Sequence, residues 1–225
     1  MLEILLIRHG QTDWNRDRRI MGRKPVPLNK AGRAEARALA KALKGVKIDA
    51  LYTSPVLRAV ETAEHLRDGR KTAIRHAQEM AEIDYGRWIG KTFEEVIPEK
   101  AFRVYHKTPR KAQAPGGERM RDVYRRTIRF IETIRRRHKA GRIAVVSHAD
   151  VIKTVLVHYL GMDYDHLLKF RIDNASISLL WFYKDRARVM AVNALAAPHK
   201  LFGLVDLLSP NVKAAPIRKA RKKNK

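Results

Sequence analysis

Two histidines in this chain each follow directly after a short apolar run. The run from Ile4 to Ile7 precedes Arg8-His9, and the run from Ile143 to Val146 precedes Ser147-His148. Short apolar runs bounded by polar residues are typical of buried strands. In open α/β sheets, ligands bind in the crevice at the carboxyl ends of the strands. We therefore expect both histidines to lie in one site.

The residue types near these histidines suit phosphoryl transfer. A phosphoryl group carries negative charge on its oxygens during transfer, so the site must supply cations, a nucleophile and a proton for the leaving oxygen. His9 is the candidate nucleophile, because an imidazole nitrogen is often unprotonated near neutral pH. Arg8 and Arg58 are the candidate phosphate clamps, since a guanidinium group can bind phosphate through two hydrogen bonds.

Three further side chains complete the predicted site. His148 contributes positive charge when it is protonated, a state that a nearby phosphate favours. Glu82 follows the predicted third strand and is the candidate proton donor, which requires that burial raises its pKa. Asn15 can donate one more hydrogen bond.

A metal site built from the two histidines and an acid is the alternative. The short spacing between ligands that is typical of zinc motifs is missing, and we expect no metal or cofactor.

Strand and helix patterns alternate along the chain. Strands are predicted at 4–7, 48–52, 72–76, 142–147, 176–183 and 188–193, and helices at 29–45, from 54 to about 69, within 92–106, at 119–139 and at 151–160. We expect Asn29 and Ser54 to cap the first two helices, which places Arg58 in the first turn of the second. This alternation favours an α/β fold, a three-layer α/β/α sandwich whose mostly parallel central sheet has helices on both faces and an antiparallel edge strand.

Length and composition set limits on the protein class. The 225 residues suffice for one catalytic domain over 1–197, followed by a basic tail over 198–225 that we expect to be partly disordered. The formal net charge of +25 favours anionic partners, including nonspecific nucleic-acid binding through the tail. The chain has no cysteine, and its first apolar run is too short for a signal peptide or a membrane span. We predict a cytoplasmic protein that does not bind membranes.

Three separated motifs occur in a recognisable order. They are Leu6-Ile7-Arg8-His9-Gly10-Gln11-Thr12 with Trp14-Asn15, then Thr53-Ser54-Pro55-Val56-Leu57-Arg58-Ala59 with Glu61-Thr62-Ala63, and finally Val146-Ser147-His148. Over about residues 2–195 the chain thus resembles the histidine phosphatase superfamily, also called the phosphoglycerate mutase-like family. The resemblance implies a phosphohistidine at His9, phosphate binding by Arg8, Arg58 and His148, and proton donation by Glu82. It also implies phosphate or substrate contacts for Gln11, Thr12, Asn15, Gly22, Tyr85 and Ala149.

Departures from the family pattern bear on the reaction. Cofactor-dependent phosphoglycerate mutases carry an Asn-Glu-Arg-His-Tyr-Gly stretch, whereas this chain has Ala81-Glu82-Ile83-Asp84-Tyr85-Gly86, so Ile83 replaces the arginine. The segment 90–118 is also short, and both features favour a phosphatase. The stretches 84–90, 115–118 and 147–153 resemble a bacterial phosphatase-like branch, some of whose members are named phosphomutases. Ala149 stands where the family usually has glycine.

The leading hypothesis is a metal-independent phosphomonoesterase that acts through a phosphohistidine on a small anionic phosphorylated metabolite. Cations in the loops 16–28 and 84–118 indicate the anionic substrate, namely Arg18, Arg19, Arg23, Lys24, Arg87, Lys91, Arg103, Lys107 and Arg110. A phosphomutase of the phosphoglycerate mutase type is the alternative. A third hypothesis is a protein that binds anions or nucleic acid without catalysis.

Overall fold

A six-stranded sheet organises the computed structural model, which describes residues 1–184 and 186–195. Its strands are β1 (Leu2–Arg8), β2 (Ala50–Thr53), β3 (Ile74–His76), β4 (Gly141–Ser147), β5 (Ile177–Tyr183) and β6 (Arg186–Ala194). The helices are α1 (Asp13–Arg16), α2 (Lys30–Ala42), α3 (Leu57–Arg67), α4 (Phe93–Val96), α5 (Lys100–Lys107), α6 (Met120–Arg137) and α7 (Ala149–Tyr159). The basic tail predicted over 198–225 lies outside the described residues.

The strands are ordered β3-β2-β4-β1-β5-β6 across the sheet. Strands β3, β2, β4 and β1 pair in parallel, while β5 pairs in the antiparallel direction with both β1 and β6. The fold class predicted from the sequence is therefore confirmed. Antiparallel pairing is confined to the β5–β6 side, where strand β5 is the reversed one and β6 forms the edge.

The two faces of the sheet carry different helices. Successive side chains of a strand point to opposite faces, so Leu6 packs in the same cluster as α6 and α7, while Ile7 packs in the cluster of α2 and α3. The central strands β1 and β4 are almost continuously apolar because both of their faces are covered. This double coverage leaves the carboxyl ends of these strands as the place for polar chemistry.

The helix starts agree only partly with the predicted caps. Asn29 caps α2 as expected, with its side chain accepting from the Gly32 N–H at 2.8 Å. The prediction that Ser54 caps α3 is wrong, because the N-cap is Val56 and makes no side-chain cap bond. Ser54 instead accepts from the Val56 N–H at 3.2 Å and thus closes a short turn before the helix. Arg58 still lies in the first turn of α3, as predicted.

A close backbone contact fixes the segment after β1 against α2. A Cβ built on Gly32 would lie 2.0 Å from the Gln11 carbonyl oxygen, and one built on Gly10 would lie 2.5 Å from the Gly32 carbonyl oxygen. Neither position can hold a larger residue without backbone movement. The residue that follows β1, His9, is thereby held next to a rigid turn.

No helix among residues 1–184 and 186–195 is long and apolar enough to cross a membrane.

Replacing Gly32 with alanine tests this contact. Helix propensity alone predicts a gain of about 1 kcal/mol for alanine, but the clash with Gln11 predicts a net loss of about 2 kcal/mol in the free energy of unfolding. Urea unfolding measures the change, with Arg37→Ala on the exposed face of α2 as a control that stays near the wild-type value. A stabilised Gly32→Ala protein would contradict the close contact.

Candidate active site

The two strand-end histidines lie side by side. Strands β1 and β4 are neighbours, and their register pairs Arg8 with Ser147, so the residues after them leave the sheet together. The His9 N–H donates to the Ser147 carbonyl at 3.0 Å, and the ring centroids of His9 and His148 are 5.2 Å apart. Both side chains are buried. Both histidines thus lie at one point, as the sequence predicts, although neither side chain lines the adjacent cavity.

The hydrogen bonds of His9 determine which of its nitrogens carries the proton. Its Nδ1 lies 2.7 Å from the Gly10 carbonyl oxygen, which can only accept, so Nδ1 holds the proton. Its Nε2 accepts from Arg58 Nε at 3.1 Å and therefore carries a lone pair. Burial lowers the pKa of His9 well below 6.5, and the charges of Arg58 and Arg8 lower it further. The ring is therefore neutral at neutral pH, as an attacking imidazole must be.

His148 is also neutral in the absence of an anion. Its Nδ1 accepts from Arg58 Nη2 at 3.1 Å, and its Nε2 donates to Ser54 Oγ at 2.7 Å. Burial lowers the pKa of His148 well below 6.5, with Arg58 and His9 adding to the effect. The protonated His148 expected from the sequence thus requires a bound anion to offset the surrounding positive charge.

Arg58 connects the two histidines to the loop above them. Its side chain is fully buried, and its Nη2 also donates to the Gly22 carbonyl at 2.9 Å while Nη1 donates to the Lys24 carbonyl at 3.2 Å. Burial lowers the pKa of Arg58 to about 10, so the group keeps its charge at neutral pH. These fixed bonds hold the guanidinium in one orientation between the rings.

Arg8, next to His9, has a hydrogen-bond donor without a partner in the part of the chain that the structure describes. Its Nη1 donates to the Ile172 carbonyl at 2.7 Å, whereas its Nε is buried without a partner. Among the described residues, the only other buried side-chain nitrogen or oxygen in this condition is Trp181 Nε1. A buried donor without an acceptor is costly, and Arg8 lines the cavity beside the histidines. This donor has no acceptor among residues 1–184 and 186–195, and an oxygen of a bound phosphate would be a suitable one.

Glu82 lies against both Arg58 and His148. Its Oε2 is 3.9 Å from Arg58 Nη2 and 3.8 Å from His148 Nδ1, and its Oε1 accepts from the Ile83 N–H at 3.0 Å. The side chain is 12% exposed. Burial raises the pKa of Glu82 to about 7, and the charge of Asp150 also raises it against the opposing effect of Arg58. A carboxyl group in this state can donate a proton near neutral pH.

The loop that carries Glu82 is held by a second loop. The Glu118 N–H donates to the Asp84 carbonyl at 2.8 Å, and a Cβ on Gly117 would lie 2.4 Å from that same carbonyl oxygen. Arg126 binds Glu118 at 2.8 Å and also donates to the Glu82 carbonyl at 3.4 Å. The Pro-Gly-Gly segment at 115–117 therefore positions the candidate acid.

Asp150 forms a buried cluster in the first turn of α7. Its Oδ2 accepts from the Tyr85 hydroxyl at 2.6 Å and from the Tyr105 hydroxyl, and its Oδ1 lies 3.1 Å from Lys153 Nζ. Burial alone would raise the pKa of Asp150, but Lys153 and the two hydroxyl groups outweigh it and hold the pKa at about 2. Asp150 therefore stays negative, and its charge adds to the effect of burial in raising the pKa of Glu82.

A cavity of about 520 Å³ opens beside this cluster. Arg8, Asn15, Gly22, Glu82, Tyr85 and Ala149 are the predicted site residues that line it. Aromatic side chains form part of its wall, including Trp14, Trp88, Phe93, Phe102 and Tyr105. The volume suits a small organic phosphate. The amino-terminal end of α7, at Ala149, also lines the cavity, and such helix ends favour anions.

Gln11 and Thr12 occupy a different position from the other predicted contact residues. The Gln11 side chain accepts from Asn29 Nδ2 at 3.0 Å, and the Thr12 hydroxyl caps α1 by accepting from the Asn15 N–H at 3.1 Å. Neither residue is part of the cavity wall. Asn15 Oδ1 accepts from the Thr12 N–H at 3.1 Å, which fixes the Asn15 side chain at the cavity. Gln11 and Thr12 thus hold the turn that presents Asn15.

Only two of the nine loop cations identified from the sequence line the cavity, Arg18 and Arg19. Three others are engaged elsewhere, because Arg23 pairs with Glu118, Lys91 with Glu99, and Arg110 with Asp165. The cavity receives other cations instead, from Lys153 and Arg171.

Sequence reasoning missed several residues of this site. Tyr105, Arg171 and Asn174 line the cavity without belonging to any of the recognised motifs, and Lys153, which ends the stretch 147–153, was not identified as a site residue. Asn174 donates to the His9 carbonyl at 3.0 Å and to Asn15 Oδ1 at 3.3 Å. The sequence offered one sign of the buried cluster around Asp150, because this acid follows directly after His148-Ala149 at the predicted start of a helix. Within the described parts of the chain, no group of three His, Asp or Glu side chains is arranged to hold a metal ion.

Comparison with known proteins agrees with this geometry. Phosphoserine phosphatase 1 of Hydrogenobacter thermophilus is 31% identical over 195 residues, which cover 86% of this chain and 92% of that protein. The adenosylcobalamin/alpha-ribazole phosphatase of Escherichia coli is 27% identical over 197 residues, covering 87% and 97%. The solved structure of Bacillus stearothermophilus YhfR has a TM-score of 0.83 at 32% identity, covering 88% of this chain and 99% of that one.

The family model of the histidine phosphatase superfamily (branch 1) matches residues 4–195. This match includes β2 to β6, most of β1 and both strand-end histidines. The chain therefore belongs to the histidine phosphatase superfamily.

Proposed function

We propose that this phosphatase hydrolyses small phosphomonoesters through a phosphohistidine on Nε2 of His9. The observation that carries the proposal is the neutral His9 ring set among buried cations. His9 Nε2 has a lone pair and touches Arg58, and Arg8 beside it has a buried donor without an acceptor. Arg58 and Arg8 lie close to Glu82, whose pKa is about 7. The two other carboxylates that act on Arg8, Asp150 and Asp173, are already paired with Lys153 and Arg171. A dianionic phosphate group offsets this excess of positive charge.

In the first step, the lone pair of His9 Nε2 attacks phosphorus, and the bond from phosphorus to the leaving oxygen breaks. Glu82 gives its proton to that oxygen, so the product leaves as a neutral alcohol. Arg8 and Arg58 bind the phosphoryl oxygens, and His148 becomes a further donor when the bound anion raises its pKa. The His9 Nδ1–H bond to Gly10 keeps the attacking nitrogen unprotonated.

In the second step, a water molecule attacks the phosphohistidine. Glu82 is now a carboxylate and takes a proton from that water, which restores the acid for the next cycle. The bond between phosphorus and His9 Nε2 breaks, and inorganic phosphate leaves. Acid and base are thus the same residue in opposite states.

Several features favour water as the acceptor. Ile83, which stands where the mutases have arginine, is buried in the core and supplies no cation to the cavity. The named relatives at 31% and 27% identity are phosphatases. The transfer of phosphate to a second substrate oxygen is tested by product analysis with phosphoglycerates, where a phosphatase releases inorganic phosphate and leaves no isomer.

The substrate is a small anionic metabolite in this proposal. Arg18, Arg19 and Arg171 line the cavity together with an aromatic wall. Arg18 pairs with Glu94 and Arg171 with Asp173, so Arg19, which forms no ion pair among the described residues, is the arginine best placed for a second negative charge on the leaving group. The named relatives act on phosphoserine and on alpha-ribazole phosphate, by their names, and we place the substrate in the same size class. The cytoplasmic location predicted from the sequence is part of the proposal.

The role of His9 is tested by His9→Ala. Loss of the nucleophile should reduce the turnover of p-nitrophenyl phosphate by roughly 10³-fold or more. Rapid quenching of the wild-type protein with labelled substrate should trap phosphate that is stable in alkali and labile in acid, as a phosphorus–nitrogen bond is. Assays in EDTA provide the test of metal independence. Wild-type turnover in His9→Ala, or a trapped phosphate that persists in that variant, would contradict the mechanism.

The role of Glu82 is tested by Glu82→Gln with two leaving groups. Without the acid, hydrolysis of an alkyl phosphate should fall by about 10² to 10⁴-fold, whereas p-nitrophenyl phosphate, whose leaving oxygen needs no proton, should lose much less in the first step. Quenched-flow measurement of phosphohistidine formation isolates that step. Equal losses for both substrates would show that Glu82 does not protonate the leaving group.

The pH profile tests the electrostatic influence of Asp150 on Glu82. The reaction needs protonated Glu82, so kcat/KM for an alkyl phosphate should fall as pH rises through about 7. Because the charge of Asp150 raises the pKa of Glu82, Asp150→Asn should lower that pKa and shift the alkaline limb of the profile to lower pH by about one unit. Asp165→Asn, which neutralises a carboxylate paired with Arg110 outside the cavity, is the control. A uniform loss of activity at every pH would indicate a structural role instead.

A further inference from the structure

A second group of positive side chains meets on a tyrosine outside the active-site cavity. Tyr52 in β2 is 3% exposed, and its hydroxyl oxygen lies 3.2 Å from Arg75 Nη1, 3.4 Å from Arg137 Nη1 and 3.1 Å from His138 Nε2. Arg75 belongs to β3, at one edge of the sheet, and Arg137 and His138 to the end of α6. None of these residues lines the active-site cavity.

The hydrogen bonds that the Tyr52 hydroxyl can form determine the protonation state of His138. A phenolic oxygen can accept two hydrogen bonds and donate one. Both guanidinium groups can only donate, so Arg75 and Arg137 use the two acceptor positions. The Tyr52 hydroxyl must then donate to His138 Nε2, which requires a neutral imidazole. In agreement, burial lowers the pKa of His138, and the charges of Arg75 and Arg137 lower it further.

The two guanidinium groups are held close together without a carboxylate between them. Both contact one oxygen, and neither forms an ion pair with an acid in the described part of the chain. Asp49, the acid whose charge acts on His138, is bound to Lys47 at 2.9 Å and to the Arg142 N–H at 2.8 Å. Arg75 and Arg137 each donate one hydrogen bond to the neutral Tyr52 hydroxyl, and the other N–H groups of each guanidinium can bind solvent or a ligand.

We propose that this surface, formed by Arg75, Arg137 and His138 around Tyr52, binds the phosphate backbone of nucleic acid. Both arginines are exposed beyond their contact with Tyr52, and the neighbouring Arg136 and Lys139 are exposed cations as well. Paired guanidinium groups fit the oxygens of a phosphate, and the formal net charge of +25 draws a polyanion toward the whole molecule.

The surface suits backbone contact rather than base reading. The Tyr52 ring is buried beneath the arginines and packs edge-on against Phe130 at 5.6 Å, so it offers no face on which a base could stack. Binding by guanidinium groups to phosphate carries no sequence information by itself. The site should therefore bind duplexes of unrelated sequence equally and weaken steeply with salt.

The test compares two double variants of the full-length chain that remove the same charge. Arg75→Gln with Arg137→Gln removes the proposed contacts, while Arg37→Gln with Lys41→Gln removes two exposed cations from α2, which packs on the opposite face of the sheet. Fluorescence anisotropy with a short labelled DNA duplex between about 50 and 200 mM salt gives the dependence of log affinity on log salt. Phosphatase activity toward p-nitrophenyl phosphate reports that each variant is folded.

The Arg75/Arg137 variant should lower the magnitude of the salt slope by about 2, one unit for each lost phosphate contact. The Arg37/Lys41 variant should keep the wild-type slope, and both should keep phosphatase activity. Equal effects of the two variants would attribute binding to total charge and overturn the proposal, as would absence of duplex binding by the wild-type chain. Two further results would also overturn it. One is that the Arg75/Arg137 variant loses affinity for vesicles containing phosphatidylserine but not for the duplex, and the other is that millimolar inorganic phosphate fully displaces the duplex from the wild-type chain.

Discussion

The burial of the Arg58 charge is the constraint on which the site depends. A guanidinium group away from water must be satisfied by hydrogen bonds or by opposite charge. Here its nitrogens bind two histidine rings and two loop carbonyls, and the one carboxyl group in reach stands 3.9 Å away. Burial keeps both imidazoles neutral, and the nearby Arg58 charge, which is neither solvated nor fully paired, adds to that effect. The same unpaired charge makes the site attractive to anions, so the neutral state of His9 and the proposed binding of phosphate share one cause.

The fold supplies this arrangement through strand ends and close turns. Neighbouring parallel strands with aligned register deliver His9 and His148 to the same point, and both faces of the sheet are covered so that these strands cannot slide. Glu82 has no strand to hold it. Its loop is instead bound through backbone contacts to the segment 115–118, which explains why glycines are needed there: a side chain on Gly117 would collide with the Asp84 carbonyl.

Much of this organisation could be predicted from the sequence, since it is encoded by local pattern. Apolar runs identified the central strands, helical periodicity identified α2, α6 and α7, and the family motifs carried the resemblance that the family model confirms. The cap of α3 could not be predicted, because Ser54 has the right type for a cap but is bound to His148, which lies far away in the chain. The loop cations were equally unpredictable. Which of them face the cavity depends on partners such as Glu99 and Glu118, and a loop sequence does not reveal those partners.

The position of Asp150 has a consequence for how such a site can change. Asp150 stands two residues after His148, in the first turn of the helix that β4 leads into. The junction of β4 and α7 therefore carries both His148, a phosphate-binding residue in our proposal, and Asp150, whose charge raises the pKa of Glu82. A displacement of this strand or helix would therefore change the surroundings of His148 and the charge that acts on Glu82 together. A substitution of Asp150, or of its tyrosine and lysine partners, shifts the pKa of Glu82 while the burial of Glu82 and the scaffold stay fixed.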